Sequence, residues 1–196
     1  MIYIVAGSQR TGTSMMMRAL MAGGLQADYD PSRDQMNDQY GDEDYKPNAG
    51  GFYELRKDQY QAVGFPRAHE GKLIKVLNEG VLKIAPRSAE DPYRIVFMRR
   101  DAEEMRQSWQ AFFGVNMTHP AADDERQDII EGALRMRRDC DVVTVRYRDF
   151  LTGPPHHSAW FSLMVYHGWP IDPATAAATI DPALCHMKRE ELAVGA

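Results

Sequence analysis

A chain of 196 residues with 44% hydrophobic side chains can bury one substantial core but is short for two independent ones. Its net charge of −5 argues against a general nucleic-acid binder, so cations that hold an anion must be placed locally. Cys140 and Cys185 lie far apart and form no CxxC pair, which points to a reducing compartment, packed thiols and no zinc site.

The apolar run Ile2 to Ala6 predicts a first strand. It leads into Gly7-Ser8-Gln9-Arg10-Thr11-Gly12-Thr13-Ser14 and then a helix-prone stretch, Met15 to Met21. A glycine-containing turn between strand and helix gathers backbone N–H groups and a helix N-terminus, a place for phosphate or a similar anion. Nucleotide triphosphatases keep a lysine where this chain has Thr13, and that lysine reaches the β- and γ-phosphates. Arg10 is the only cation inside this loop, so the pattern disfavours a triphosphate.

Gly23-Gly24 predicts the end of the loop helix, because glycine takes the left-handed conformation a terminus needs. Residues 28–48 carry Asp28, Asp30, Asp34, Asp38, Asp42, Glu43 and Asp44 with little apolar periodicity. They predict a long acidic loop, either a solvated surface segment or a cover over a pocket that favours a cationic acceptor.

Further strand-like runs stand at Leu73 to Val76, Ile95 to Met98 and Val142 to Val145. Helical stretches are predicted over Leu55 to Val63, over Ala102 to Phe113 behind Asp101 as N-cap, over Asp123 to Arg138, and after Pro154-Pro155. Strands alternating with helices predict one α/β domain over residues 1–196. The expected form is a three-layer sandwich around a mainly parallel sheet, like that of P-loop NTPases. The absence of a basic leader or a membrane-length apolar run gives the expectation of a cytoplasmic protein without membrane or nucleic-acid partners.

Arg100 falls at the carboxyl end of the predicted strand Ile95 to Met98, where ligands of open α/β sheets bind, and Ser108 follows eight residues later. Arg99 alternates to the other face and is expected in a structural ion pair. Arg10-Thr11-Gly12-Thr13-Ser14 together with Ile95-Val96-Phe97-Met98-Arg99-Arg100-Asp101 and Ser108 resembles the sulfotransferases that use 3′-phosphoadenosine 5′-phosphosulfate. Shorter echoes are Gly50-Gly51-Phe52-Tyr53-Glu54, Leu73-Ile74-Lys75, Tyr147-Arg148-Asp149-Phe150-Leu151 and Gly168-Trp169-Pro170.

The resemblance implies sulfonate transfer from that donor to a hydroxyl or amine of a small-molecule or glycan acceptor, without a metal. It assigns Arg10, with Thr11, Gly12, Thr13 and Ser14, to the 5′-phosphosulfate, and Arg100 with Ser108 to the 3′-phosphate. Cytosolic animal-type members place a histidine base two residues after a lysine resembling Lys75, but this chain has Leu77 there. Other branches place a glutamate in a segment like Gly51 to Glu54, making Glu54 the candidate base; its alternative is an acid at the start of the Leu55 to Val63 helix. Lys75 is implied to aid the transferred or leaving group. His69 and His119 are further candidate bases, Met15 replaces the tryptophan that stacks adenine, and Lys188-Arg189 is a candidate late basic segment. Two competing readings are a kinase with an unusual loop and a silent nucleotide-binding or interaction protein.

Overall fold

The computed structural model describes residues 1–32, 34, 51–62, 64–113, 120–150 and 154–181. Val63, His119, Leu151, Cys185, Lys188-Arg189 and most of the acidic segment, with Asp38, Asp42, Glu43 and Asp44, lie outside them.

Four parallel strands form the sheet: β1 (Tyr3–Gly7), β2 (Leu73–Leu77), β3 (Tyr93–Arg99) and β4 (Cys140–Arg146), in the order β2-β1-β3-β4. The helices are α1 (Thr13–Ala22), α2 (Lys57–Tyr60), α3 (Phe65–Ala68), α4 (Ala102–Phe113), α5 (Pro120–Met136), α6 (Pro154–Tyr166) and α7 (Pro173–Ala178). Short 3₁₀ turns follow β2 at Asn78–Lys83 and β4 at Tyr147–Phe150. Parallel strands need crossovers, and crossovers cover the faces of the sheet, so β1 is buried along its whole length.

Successive residues of a strand point to opposite faces, and this divides the core in two. Tyr3, Val5, Val96, Met98 and Val145 pack with Met16, Met17 and Leu20 of α1, Phe161 and Met164 of α6, and Ala176 of α7. Ile2, Ile4, Ala6, Ile95 and Phe97 pack on the other side with Phe65 of α3 and Ile130 and Leu134 of α5. Helices therefore lie on both faces of a parallel sheet, an α/β arrangement compatible with three layers. The two-residue alternation also sorts the arginines after β3. Arg99 faces α5 and pairs with Asp128 at 2.7 Å and Glu131 at 3.0 Å, as its strand position predicts.

The predicted helix over Leu55 to Val63 is a correction. Among the described residues of that span only the four of α2 are helical, with Arg56 as the N-cap residue, so Glu54 lies outside the helix and is not its first-turn acid. The Asp101 carboxylate accepts from the Glu104 amide at 3.1 Å, which makes it the cap of α4 as expected.

The strand order fixes where a ligand can sit. From β1 the chain crosses over to β2 on one side, and from β3 to β4 on the other, so connections diverge between β1 and β3. The carboxyl ends of those two strands carry the Gly7–Ser14 loop and Arg100, and that switch point is where open α/β sheets leave a crevice.

Candidate anion-binding and catalytic site

The loop after β1 is built on unusual backbone conformations. Gly12, at φ 88°, is the left-handed N-cap of α1, and Arg10 takes φ 69°, a conformation that costs a side-chain-bearing residue roughly 1–3 kcal/mol. Thr11 is fully buried and its hydroxyl donates to the Ser8 carbonyl at 2.7 Å, bracing the turn from within. Met16 makes the first intrahelical bond, to the Gly12 carbonyl at 3.0 Å, which leaves the amides of Thr13, Ser14 and Met15 at the start of α1 to face an anion. The Ser8 hydroxyl is buried without a partner among the described residues.

Arg10 is held from two sides. Its carbonyl accepts from Arg100 Nη1 at 2.9 Å, and its own Nε donates to Ser108 Oγ at 2.9 Å. The three residues expected to hold the donor's phosphates, Arg10, Arg100 and Ser108, thus meet at one point, although Arg100 and Ser108 lie in a different chain region from the loop. Arg100 and Ser108 are both buried. The arrangement differs from the expected division of labour, because Arg10 turns its guanidinium toward Ser108 rather than standing apart from it.

Arg100 is itself fixed on three sides. Its Nε contacts Glu104 at 3.3 Å, its guanidinium lies 4.3 Å from the centroid of the Tyr147 ring, and its backbone is gripped by Gln127. The contact with Tyr147 has the geometry of a cation–π pair. On its other side Tyr147 closes on the loop: a Cβ on Gly12 would stand 2.5 Å from a ring carbon, so only glycine fits there. The second Glu104 oxygen accepts from Arg148 Nε at 2.6 Å.

A second cluster sits where β2 meets α1. Alternation along β2 puts Lys75 on the α1 face together with Leu73, in a core where a lysine is costly unless partnered. Its Nζ donates to Ser14 Oγ at 3.0 Å and to the Phe52 carbonyl, and stands 3.6 Å from Glu54. Burial pushes the Lys75 pKa down to about 8 from its ordinary value, against the pull of the Glu54 carboxylate, which raises it. The Phe52 carbonyl is positioned by Asp34, whose Oδ1 accepts from the Phe52 amide at 2.6 Å and the Tyr53 amide at 3.2 Å. Gly51 at φ 111° lets the chain pass that carboxylate, since a Cβ would stand 2.7 Å from an Asp34 oxygen.

The loop residues, Arg100 and Ser108 form one cluster and Lys75, Ser14 and Glu54 the other, with Ser14 common to loop and lysine. His69 is elsewhere: it is buried, pairs with Asp28 at 2.8 Å and packs on Phe65. His157 is buried under Phe150. Of Met15 to Met17, Met16 and Met17 are core and Met15 packs on its edge. Glu104 and Gln127 carry much of the geometry and sequence reasoning gave them no role, while Asp34 was expected only as one acid of the 28–48 segment; the spacing of four between Arg100 and Glu104 at the start of α4 was the one signal available. Among the described residues no group of three or more His, Cys, Asp or Glu side chains could hold a metal ion, and no helix is long and apolar enough to cross a membrane. Compared with family models and with curated proteins, the chain matches none.

Proposed function

We propose that this chain is a sulfotransferase on a P-loop-like fold that moves a sulfonate from 3′-phosphoadenosine 5′-phosphosulfate to a hydroxyl or amine acceptor. The observation that carries the reading is the meeting of Arg10 with Arg100 and Ser108 at the switch point, in a loop whose lysine position holds Thr13. Guanidinium groups suit phosphate and sulfonate oxygens because the planar fork can make two parallel bonds. Arg100 and Ser108 hold the 3′-phosphate; Arg10, the amides at the start of α1 and Ser14 hold the phosphosulfate. Transfer forms a bond from the acceptor oxygen or nitrogen to sulfur and breaks the bond from sulfur to the bridging phosphate oxygen. The acceptor proton passes to Glu54, and adenosine 3′,5′-bisphosphate leaves. Lys75, beside both Ser14 and Glu54, supplies positive charge where charge grows on the leaving group. The acids of the 28–48 segment favour a cationic small-molecule or glycan acceptor.

Lys75 also favours a second reading, a kinase-like phosphotransferase. Its ammonium, supplied from β2, reaches the start of α1, the region the missing loop lysine would serve. A calorimetric panel of nucleotides separates the two. Adenosine 3′,5′-bisphosphate at a hundredfold excess over its Kd stabilises the fold by about 2.7 kcal/mol, and ADP far less. Tighter binding of ATP with magnesium would replace the sulfotransferase reading by the kinase. Donor binding without turnover for any hydroxyl or amine acceptor would leave a nucleotide-binding protein.

A further inference from the structure

We infer that Arg148 is a ligand for the phosphate that the bound nucleotide carries in addition to its 5′-phosphate ester, the 3′-phosphate in adenosine 3′,5′-bisphosphate, working beside Arg100 on the far side of Glu104. The inference rests on the anion site of the proposed function and adds a residue to it.

Charge favours a further cation beside Arg10 and Arg100. Glu104 is buried and bonded to Arg100, so this pair presents no net charge to an anion. A phosphate monoester carries about −1.5 to −2 at pH 7. Arg148 restores the positive balance, because its Nε bonds the other oxygen of the same carboxylate at 2.6 Å. One buried carboxylate therefore sets two guanidinium groups side by side. Only Nε of Arg148 is engaged with a partner among the described residues, and its side chain is 51% exposed, which leaves the terminal nitrogens open toward solvent.

Position supports the same assignment. Arg148 follows Tyr147, whose ring is wedged between Gly12 of the loop and the Arg100 guanidinium. The 3₁₀ turn after β4 is thus seated on the anion loop rather than on a remote surface. With Glu104 on Nε, the outer edge of Arg148 keeps two N–H groups directed away from the carboxylate, a geometry suited to phosphate oxygens.

The test measures binding by calorimetry for wild type, Arg148→Ala, and Arg146→Ala as a control that removes an exposed positive charge two residues away. The ligands are adenosine 3′,5′-bisphosphate, adenosine 5′-phosphate, ADP and ATP with magnesium. Arg148→Ala is expected to weaken the bisphosphate about tenfold or more, with adenosine 5′-phosphate and the Arg146→Ala control changed by less than about twofold. Unchanged bisphosphate affinity, or equal losses for bisphosphate and 5′-phosphate, would overturn the assignment. If wild type binds ADP or ATP but not the bisphosphate, the sulfotransferase reading fails alone. Arg148 is then judged on that nucleotide: an about tenfold loss selective for Arg148→Ala over Arg146→Ala upholds it and no loss overturns it. If wild type binds none of the four, both fall.

Discussion

Arg10 Nε donates to Ser108 Oγ at 2.9 Å, joining the loop after β1 to the second turn of α4 across 98 positions of sequence. The two side chains form one unit, so their removal should not be additive. Arg10→Ala and Ser108→Ala are expected to couple by about 0.5 kcal/mol or more in bisphosphate binding, the range for residues in direct contact. A double-mutant cycle by calorimetry checks this, and strictly additive losses would mean that the bond does not persist in the bound state.

Gly12→Ala meets two obstacles, a left-handed backbone and a Tyr147 ring carbon 2.5 Å from the new Cβ. The conformational part alone costs roughly 1–2 kcal/mol. The variant is expected to lose nucleotide affinity, and Gly12→Ala combined with Tyr147→Ala should recover part of its thermal stability by removing the collision. If the double variant is no more stable than Gly12→Ala, the ring is not what bars a side chain there.

Lys75 should titrate near pH 8, which direct observation of its side-chain nitrogen by NMR can follow. Replacing Glu54 by Gln removes the charge that favours the ammonium, so the midpoint should move lower still. The sign for stability follows from a folded-state pKa below the unfolded one. The full cost of burying the charge is present below about pH 8 and is relieved as pH rises from there toward 10.5. A Lys75 midpoint at its ordinary value would show that water reaches the site.

Glu54→Gln keeps the size of the side chain but cannot accept the acceptor's proton. Turnover at saturating donor is expected to fall by about 10² to 10⁴, with bisphosphate affinity near normal. Single-turnover assays across pH are the check, and a wild-type-like profile would remove Glu54 from proton transfer.

Burial pushes the Cys140 thiol up to about 11, so little thiolate exists at pH 8. In a Cys185→Ser background the native protein should react with a chromogenic disulfide reagent far more slowly than the same protein in denaturant. Equal rates would contradict the packing of β4 against its neighbours.

The sheet and the glycine-containing turn after β1 were legible because short-range patterns dictate them. Apolar runs mark β1 to β4, and the spacing of Gly7 and Gly12 marks the turn. Alternation placed Arg99 and Arg100 on opposite faces, and Arg99 does pair with α5. The short α2 was misread because residues 55–63 have helix-compatible composition, whereas the chain reaches α2 through an irregular stretch, with Tyr53 at φ 55°, that brings Glu54 and the Phe52 carbonyl to Lys75. The links through Asp34, Gln127 and the Glu104–Arg148 pair had no local signature, the spacing of four between Arg100 and Glu104 being the exception. Each joins segments whose nearness depends on the strand order, and a carboxylate or amide in isolation reads as a surface group.

Gln127 has a wider consequence. Its side-chain amide accepts from the Arg100 N–H at 3.1 Å and donates to the Arg100 carbonyl at 3.0 Å, standing in for a neighbouring strand just where β3 stops pairing. The backbone that carries the Arg100 guanidinium is therefore anchored to α5, a helix whose outer side, with Ile129 and Met136, is in solvent. A partner or substitution that displaces α5 by a fraction of an ångström would be transmitted to Arg100 through two hydrogen bonds, without touching the crevice. The amide thus works as a mechanical coupling between an outer surface and the candidate anion site, and a carboxylate in its place, as in Gln127→Glu, would keep the acceptor half of that coupling and lose the donor half.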